Sequence, residues 1–207
     1  MRNPWESISL DDYENHMKLD SVMQLQTMNR MMKDQFYKNP VRTVMIFGIA
    51  GGNGLEHIDT SKTDRVYGVD INAKYLEECS KRYPELKGCL ECICADLTDD
   101  GTVLPEAELV VANLLIEYIG YECFMNAVKK AGAGYVSCII QINTDDSFVS
   151  DSPYLHAFDD LDKVHHQMEE DILEYNMKSI NYRLTDKTEQ ELPNGKKLVQ
   201  LDFVKGE

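Results

Sequence analysis

The sequence predicts an α/β fold, a three-layer α/β/α sandwich in which a mostly parallel sheet lies between helices. Short apolar runs alternate with helix-like segments between residues 43 and 142. These runs are apolar at successive positions, which is typical of strands buried on both faces of a parallel sheet. Near the end of the chain, Asn194-Gly195 separates two β-type runs and predicts a β-hairpin, so the sheet should gain an antiparallel edge.

The composition fits a single domain that acts on a small molecule. The chain has 207 residues, of which 43% are apolar, and this is enough for a substantial core. Its formal net charge of -15 should repel nucleic acids and anionic membranes. The sequence has no apolar run of roughly 18 residues that would predict a membrane span, and residues 1–30 lack a signal-peptide pattern. The six cysteines lie mostly within apolar runs, which indicates reduced thiols in a cytoplasmic protein.

The first 40 residues predict a helical segment ahead of the sheet. Ser21-x-x-Gln24 matches a capping box, a pattern that begins helices. Asn39-Pro40 ends the segment, because proline does not continue a helix. Between these points, apolar residues recur at the spacing of one helix face: Val22, Leu25, Met28, Met32 and Phe36.

Five apolar runs predict the parallel strands. Each is short enough for a strand and is followed by a residue type that ends strands, either glycine, aspartate or asparagine. The runs cover residues 43–47, 65–69, 90–95, 109–112 and 135–142.

Three helices are expected between and after these strands. Asn72 is placed to cap the first, and Pro84 ends it. The second begins at about Ile119 and ends at the glycines before the last parallel strand. An acidic third helix begins at Asp159 or Asp160, and its charged face is most simply a solvated one.

The residues that follow the strands predict a ligand site at one edge of the sheet. In an open α/β sheet, ligands bind at the carboxyl ends of the strands. The amides near Gly52 to Gly54 would point from a helix N-terminus at a carboxylate or phosphate. Asp70 can accept hydrogen bonds from ribose hydroxyls, and Asp96 from an exocyclic amine. These residue types favour a ligand with an anionic end, a ribose and an amino-bearing base.

The order of these features is similar to that of the class I S-adenosylmethionine (SAM)-dependent methyltransferases. The likeness runs from about residue 41 to 204 and includes the glycine loop, Asp70, Asp96, the run VVANLLIEYIG and the terminal hairpin. It implies a seven-stranded Rossmann-like sheet whose last strand is antiparallel, and methyl transfer from SAM to a small molecule, with S-adenosylhomocysteine (SAH) as product. Residues 41–207 would form the SAM-binding domain, and residues 1–40 a helical lid segment of the same domain.

The resemblance also assigns residues to parts of SAM. Residues of the glycine loop would line the methionine portion, and the residues after the second and third strands would hold the nucleoside. The assigned residues are Gly48, Ala50, Gly52 and Asn53 at the methionine portion, Asp70 at the ribose, Ile71, Asp96 and Leu97 at the adenine, and Asn113 near the sulfonium.

The glycine loop departs from the pattern of this family at two positions. The usual order is acid-x-Gly-x-Gly-x-Gly, and here Gly48 stands at the acidic position and Ala50 at the first glycine. Alanine can replace glycine there if its φ is negative. The missing carboxylate removes a polar contact to the methionine amine, for which Asn113 and Glu117 are candidate replacements.

The methyl acceptor should bind near the end of the fourth strand. Glu117 and Tyr118 follow that strand and are candidates for substrate contact. Tyr13, His16 and Met17 are candidate pocket residues of the N-terminal segment, with a position on a surface helix edge as the alternative. His16, Glu117 and Tyr118 could each serve as a general base, which is needed only if the acceptor must lose a proton near attack.

Two other functions are consistent with parts of the pattern. A dinucleotide oxidoreductase also uses a glycine loop and an aspartate about 20 residues further on. However, the strict G-x-G-x-x-G motif is absent, because His57 stands where its last glycine is required. A non-catalytic protein that binds SAM as a sensor or scaffold is the second alternative, motivated by the missing acid at Gly48.

No metal site is expected. Cys89, Cys92 and Cys94 have no second cluster to complete a zinc site, and packing in the core explains them better. His165 and His166 are adjacent in a predicted helix, where neighbouring side chains diverge by about 100° and do not chelate one ion. One of them should pack and the other should face solvent.

Overall fold

A seven-stranded sheet organises the computed structural model, which describes residues 3–143 and 148–206. The strand order is β3-β2-β1-β4-β5-β7-β6, with parallel pairing from β3 to β5 and antiparallel pairing of β7 with both β5 and β6. This confirms the predicted fold class and the antiparallel hairpin. The strands are β1 Thr43–Phe47, β2 Arg65–Asp70, β3 Leu90–Cys94, β4 Leu109–Asn113, β5 Tyr135–Ile142, β6 Tyr182–Glu191 and β7 Lys197–Lys205.

Helices cover both faces of the sheet. In β1, Met45 and Phe47 pack into a cluster with side chains of α4 and α5, whereas Val44 and Ile46 pack with side chains of α3. This alternation explains why the strand is apolar at every position. The helices are α1 Leu10–Met17, α2 Gln24–Tyr37, α3 Ala73–Arg82, α4 Ile116–Ala131 and α5 Glu170–Ser179. None of the described helices combines the length and the apolar character needed to cross a lipid bilayer.

The predicted start of α2 is wrong, whereas that of α3 is confirmed. The backbone N–H groups of Val22 and Met23 both donate to the carbonyl of Leu19 at 2.8 Å, so Ser21 lies in a tight turn rather than at a helix cap. The side chain of Asn72 accepts from the N–H of Lys74 at 3.0 Å, as a helix cap requires.

Two helix boundaries in the second half of the chain also differ from prediction. Helix α4 begins at Ile116 rather than about Ile119 and is interrupted at Gly120, where φ is 74° and ψ is 165°. The predicted start at Asp159 or Asp160 is wrong: a 3-10 helix, Leu161–Lys163, lies there, and α5 begins only at Glu170. Between these two elements, the N–H of His166 donates to the carbonyl of Glu117 at 2.6 Å.

The N-terminal segment crosses the carboxyl ends of the strands and is fastened to α3. It comprises a 3-10 helix, Pro4–Glu6, and α1. Asn72 donates to the carbonyl of Trp5 at 2.9 Å, and the Tyr75 hydroxyl donates to the carbonyl of Ile8 at 3.0 Å. An ion pair between Arg82 and Glu14, at 2.6 Å, fixes α1 itself.

A chain of polar contacts fastens α2 to the other half of the sheet. Lys38, at the end of α2, pairs with buried Asp202 of β7 at 2.6 Å and also with exposed Asp186 of β6. The Ser137 hydroxyl of β5 donates to Asp202 and accepts from Gln35 of α2 at 2.9 Å. Asp202 therefore joins α2, β5 and β7 through one buried carboxylate.

Replacement of this carboxylate tests its contribution to stability. We expect Asp202→Asn to lower the free energy of unfolding by about 1.5–3 kcal/mol, since hydrogen bonds to a charged group are lost. Asp186→Asn is the matched control: it breaks the other ion pair of Lys38, and we expect a loss of about 1 kcal/mol or less because that pair is exposed. Urea denaturation at neutral pH measures both values, and equal losses would contradict the expected dominance of Asp202.

Candidate functional site

The residues that follow the strands meet in one pocket, here called the strand-end pocket. It lies where the strand order reverses between β1 and β4, the position at which open α/β sheets bind ligands. Seven of the nine residues that the resemblance assigns to parts of SAM line it: Gly48, Ala50, Asp70, Ile71, Asp96, Leu97 and Asn113. These residues, which are distant in sequence, together form one edge of the pocket.

Asp70 connects two of the backbone segments that form this pocket. Its carboxylate accepts from the N–H of Ala50 at 2.9 Å and from the N–H of Asn72 at 2.8 Å. Burial raises the pKa of Asp70, and hydrogen bonds from the amides of Asn72, Ala50 and Ile71 partly oppose this shift. Each carboxylate oxygen can accept a further hydrogen bond, so Asp70 both holds the loop and presents acceptors to the pocket.

Asp96 uses one carboxylate oxygen in a turn. Its Oδ1 accepts from the N–H of Thr98 at 2.8 Å and from the Thr98 hydroxyl at 2.7 Å. Within the described residues, its Oδ2 atom has no hydrogen bond. The turn-rich sequence after β3 thus orients Asp96 and leaves one oxygen for a ligand in the pocket that it lines.

The glycine loop has backbone geometry that the sequence predicted only in part. Gly48 has φ of 70°, so glycine suits this position. Ala50 has φ of 47°, and the expectation of a negative φ there is wrong. Its N–H bond to Asp70 accompanies this strained conformation. Gly51 lies against α1 and α3: a side-chain carbon there would collide with the Glu14 carboxylate and with Arg82.

Gly52 and Asn53 lie outside the strand-end pocket. A side chain at Gly52 would meet Tyr83 and Cys79 in the core beside α3. Asn53 donates to the carbonyl of Leu25 at 3.1 Å and lines a smaller cleft that also includes Gly48 and Ala50. The structure therefore places only the first part of the loop at the pocket.

The expected helix N-terminus after the glycine loop is absent. A 3-10 helix of three residues, Leu55–His57, follows the loop, and β2 begins at Arg65. The N–H groups of Gly52, Leu55 and His57 donate to nearby backbone carbonyls within this tight segment. The prediction that amides near Gly52 to Gly54 point from a helix at an anion is wrong.

Asn113 is held by a side chain from α2. Its amide exchanges two hydrogen bonds with the amide of Gln35, at 3.0 and 2.8 Å. Gln35 is fully buried and also donates to Ser137, so Asn113 is connected to Asp202 through two side chains. Gln35 was not predicted as a site residue, because its pattern in the sequence is that of an ordinary helix position.

The N-terminal segment supplies a wall of the strand-end pocket that the sequence predicted incompletely. Tyr13 lines the pocket as expected, and Asn3, Trp5 and Tyr75 line it as well. Trp5 packs edge-on against Tyr13 at 5.4 Å and against Tyr118 at 4.9 Å between ring centroids. The buried indole N–H of Trp5 has no partner among the described residues. The one feature of the sequence that could have indicated this wall is Trp5, the single tryptophan of the chain.

A second pocket, here called the aromatic pocket, lies beside the first. The two share Trp5, Tyr13, Leu114 and Tyr118 as a common wall. The predicted residues His16, Met17, Glu117 and Tyr118 all line the aromatic pocket, together with Tyr13. The further lining residues, which sequence reasoning missed, are Gln24, Gln141, Phe148, Val149, Phe158, Leu161 and His165.

Glu117 is the most unusual group of the aromatic pocket. The side chain is buried, and its Oε2 atom has no hydrogen-bond partner within residues 3–143 and 148–206. Burial raises the pKa of Glu117 to about 7, although backbone N–H groups of Glu117 and Gln141 donate to the carboxylate. At neutral pH this carboxyl group is therefore ready either to accept or to give up a proton.

The two other candidate bases lie in the same pocket. His16 is buried, its Nδ1 is 2.8 Å from the Ser152 hydroxyl, and burial and the charge of Lys196 lower its pKa. Burial and the adjacent Glu117 raise the pKa of Tyr118. Both side chains are thus uncharged at neutral pH.

The remaining polar candidates of the sequence form no metal site. His165 stacks on Phe148 at 3.8 Å and His166 is exposed, as expected of one packed and one solvated residue, although neither lies in a helix. All six cysteines are free, and the Ser80 hydroxyl contacts the Cys92 sulfur at 3.3 Å. Among the described residues, no group of three or more histidine, cysteine or acidic side chains could hold a metal ion.

Comparison with known proteins identifies the fold. A scan against protein-family profiles and a search of curated proteins found no match. The chain is similar in structure to magnesium protoporphyrin IX methyltransferase (ChlM) from Synechocystis PCC 6803 with bound SAH, with a TM-score of 0.71, 13% identity, and coverage of 99% of this chain and 98% of that chain. It is also similar to N-methyltransferase NodS from Bradyrhizobium japonicum WM9 in complex with SAH, with a TM-score of 0.69, 12% identity and coverage of 100% of both chains. The [4+2]-cyclase SpnF gives a TM-score of 0.66 at 6% identity, covering 89% of this chain and 83% of that chain. The chain therefore has the fold of class I methyltransferases.

The raised pKa of Glu117 should make stability depend on pH. Between the ordinary value of 4.5 and about 7, the folded protein binds more protons at Glu117 than the unfolded chain does. Stability therefore falls as pH rises through this window, with a slope of up to about 1.4 kcal/mol per pH unit from this group. Glu117→Gln removes this slope. The free energy of unfolding of the variant, minus that of the unmodified protein, should therefore rise between about pH 5 and about pH 8.

Urea denaturation across this pH range measures the difference. Glu122→Gln is the control, because Glu122 is exposed on the same helix. The control should differ from the unmodified protein by an amount that does not change with pH. A difference for Glu117→Gln that is equally flat would show that Glu117 ionises normally in the folded protein.

Proposed function

We propose that this protein is a SAM-dependent methyltransferase that acts on a small molecule. The observation that carries the proposal is the convergence of four strand ends on one pocket, with Asp70 and Asp96 placed beside the glycine loop. The fold shared with ChlM and NodS, both solved with SAH, supports SAM as the cofactor. The aromatic pocket and the net charge of -15 support a small acceptor rather than a nucleic acid.

The strand-end pocket has the groups that the nucleoside half of SAM requires. Asp70 would accept hydrogen bonds from the ribose hydroxyls, using the lone pairs that the backbone amides leave free. The free oxygen of Asp96 would accept from the adenine amine, and Ile71 and Leu97 supply apolar contact for the ring. These proposed roles are the ones that the family resemblance implies.

The methionine half of SAM would lie against the first residues of the glycine loop. Gly48 and Ala50 line this side, and Asn53 lies in the adjoining cleft. In place of a helix N-terminus, the indole N–H of Trp5, which has no partner among the described residues, would donate to an oxygen of the ligand. Asn113 would lie near the sulfonium, in the orientation that Gln35 imposes.

SAM, when bound, supplies a methyl group on a positively charged sulfur, and the bonding pair of the broken C–S bond stays on sulfur in SAH. The protein's contribution is to hold the acceptor close and aligned and to exclude water. The aromatic pocket meets the strand-end pocket at Trp5, Tyr13 and Tyr118, so an acceptor there would lie next to the cofactor. Glu117 is the candidate base with an available oxygen, and Tyr118 and His16 complete the acceptor site.

The N-terminal residues 1–40 would act as the lid of this site. The contacts of Trp5, Ile8 and Glu14 with α3 support this role, because they close the strand-end pocket from above. The six free cysteines support a reducing compartment such as the cytoplasm.

A dinucleotide oxidoreductase is not favoured. The pyrophosphate of a dinucleotide binds at a helix N-terminus after the glycine loop. Here the segment after the loop is a 3-10 helix of three residues, Leu55–His57, in which the amides of Leu55 and His57 donate within the turn.

Titration calorimetry with SAM, SAH and NAD tests the proposal directly. We expect both SAM and SAH to bind and NAD to give no heat of binding under the same conditions. Absence of SAM and SAH binding at millimolar ligand would overturn the proposal, and binding of NAD in their place would establish the oxidoreductase alternative.

A non-catalytic SAM-binding role needs a different measurement. The fold alone does not decide the reaction, since the [4+2]-cyclase SpnF shares it. Radiolabelled methyl SAM incubated with the protein and a small-molecule extract should yield labelled products that depend on the protein. Tight SAM binding without any labelled product would favour a sensor or scaffold.

Removal of the Asp70 carboxylate should weaken cofactor binding. We expect Asp70→Ala to reduce SAM affinity by about 1.5–3 kcal/mol, roughly tenfold to over a hundredfold, because charge-assisted hydrogen bonds to the ribose are lost. Asp59→Ala is the control: Asp59 forms a similar turn with Ser61 but lies outside both pockets. Calorimetry on both variants, after circular dichroism confirms folding, gives the comparison. Unchanged affinity in Asp70→Ala would remove Asp70 from the cofactor site.

A further inference from the structure

Among the described residues, Glu117 gives the aromatic pocket a buried acceptor atom without a hydrogen bond. Glu117 lines the pocket, and its buried Oε2 atom has no partner in the part of the chain that the structure describes. A buried carboxyl oxygen without a donor is costly, so such an atom is a candidate contact for a ligand. Hydrogen bonds from the backbone N–H groups of Glu117 and Gln141 only partly oppose the effect of burial on the pKa of this carboxyl group.

The neighbouring polar side chains of the pocket are already engaged with one another. Gln24 donates to the side-chain oxygen of Gln141, and Gln141 donates to the carbonyl of Phe148 at 2.9 Å. His16 pairs with the Ser152 hydroxyl at 2.8 Å. None of these contacts reaches Oε2 of Glu117, which stays available for a ligand.

Several other titratable groups lie near Glu117, and their charge states at neutral pH differ from that of a carboxyl group. Burial, His166 and Lys196 lower the pKa of His165 to about 4, and burial and Lys196 lower that of His16, so both rings are neutral at pH 7. Tyr13 and Tyr118 stay protonated, because burial raises the pKa of each. Lys196 is a buried cation whose charge reaches both histidines, and a test must therefore include an anionic ligand.

Aromatic side chains line the same pocket as Glu117. Trp5 and Tyr118 meet edge to face at 4.9 Å, and Phe158 lies 5.0 Å from the ring of His16. Aromatic faces attract cations, and a carboxylate forms its strongest hydrogen bonds with a charged N–H donor. A pocket lined by aromatic side chains and one acid therefore has the chemistry to recognise an ammonium group.

We infer that the aromatic pocket binds a small primary or secondary amine as the methyl acceptor, with its nitrogen at Oε2 of Glu117. This inference rests on the proposed function for the fate of the amine, but the binding of the amine can be tested alone. An ammonium group arriving at ionised Glu117 transfers one proton to Oε2, which leaves a neutral nitrogen and a neutral carboxyl group. The nitrogen then has the free lone pair that forms the new N–CH3 bond, and the positive charge of the sulfonium ends on the methylated amine.

Three ligands of equal size and different charge test the inference. Calorimetry with benzylamine, benzyl alcohol and benzoate, in the presence of SAH, compares a cation, a neutral molecule and an anion. We expect benzylamine to bind at least about tenfold more tightly than the other two, since charged hydrogen bonds and cation–π contact add to the shared ring contact. Equal affinity of benzylamine and benzyl alcohol would overturn the inference, and so would preferred binding of benzoate, which would assign the pocket to an anion near Lys196.

Variants of two glutamates on α4 locate the effect. Glu117→Gln should lower benzylamine affinity about tenfold and leave benzyl alcohol within about twofold, because the amide keeps the shape of the side chain but not its charge. Glu122→Gln, on the exposed side of the helix, should change neither. An equal loss for both ligands in Glu117→Gln would show that Glu117 only shapes the pocket.

Proton release gives a readout that a merely structural role would not produce. At pH 7, Glu117 with a pKa of about 7 is about half protonated, so binding of the ammonium form should release about half a proton to the buffer. Calorimetry in two buffers of different ionisation enthalpy measures this release, which should disappear in Glu117→Gln. SAH binding is recorded in the same experiments, so failure of the amine inference with SAH bound is distinct from failure of the proposed methyltransferase function.

Discussion

Both pockets depend on how the N-terminal segment is held across the strand ends. A backbone placed over an apolar site must have its polar groups bonded, because buried carbonyls without partners are costly. Asn72 and Tyr75 of α3 supply the donors to the carbonyls of Trp5 and Ile8, and Arg82 adds an ion pair with Glu14. With these contacts, Trp5 and Tyr13 become walls of a site. Without them, the strand ends would form an open groove.

The sequence predicted those parts of the fold that depend on local patterns. Residues close together in the chain predict the strands that are apolar on both faces, the cap at Asn72 and the turn at Asn194-Gly195. The positions of Asp70 and Asp96 directly after strands likewise predict that they meet at one edge of the sheet. The helix starts predicted at Ser21 and at Asp159 or Asp160 are wrong. In each region the structure has backbone hydrogen bonds that the local sequence pattern does not predict: the carbonyl of Leu19 accepts from two N–H groups, and the N–H of His166 donates to the carbonyl of Glu117. The role of Trp5, the burial of Glu117 and the pairing of Gln35 with Asn113 depend on contacts between distant residues, which no spacing rule contains.

The glycine loop has the position expected from the resemblance but differs from that pattern in sequence and backbone geometry. It lies at the expected switch point, yet it lacks the acid at Gly48, holds Ala50 at positive φ and leads into a 3-10 helix. Asp70 compensates in part, since it bonds the amide of Ala50 and joins the loop to the start of α3. The loop is therefore organised by a carboxylate from the neighbouring strand and not by a helix that follows it.

The wall shared by the two pockets has a consequence for how their ligands influence each other. Trp5, Tyr13 and Tyr118 line both pockets, so a ligand that shifts these side chains on one side alters the space on the other. Any such effect on binding must be equal in both directions, because coupling between two sites is reciprocal. The affinity of a ligand for one pocket, measured with the other pocket filled and empty, gives the size of this coupling.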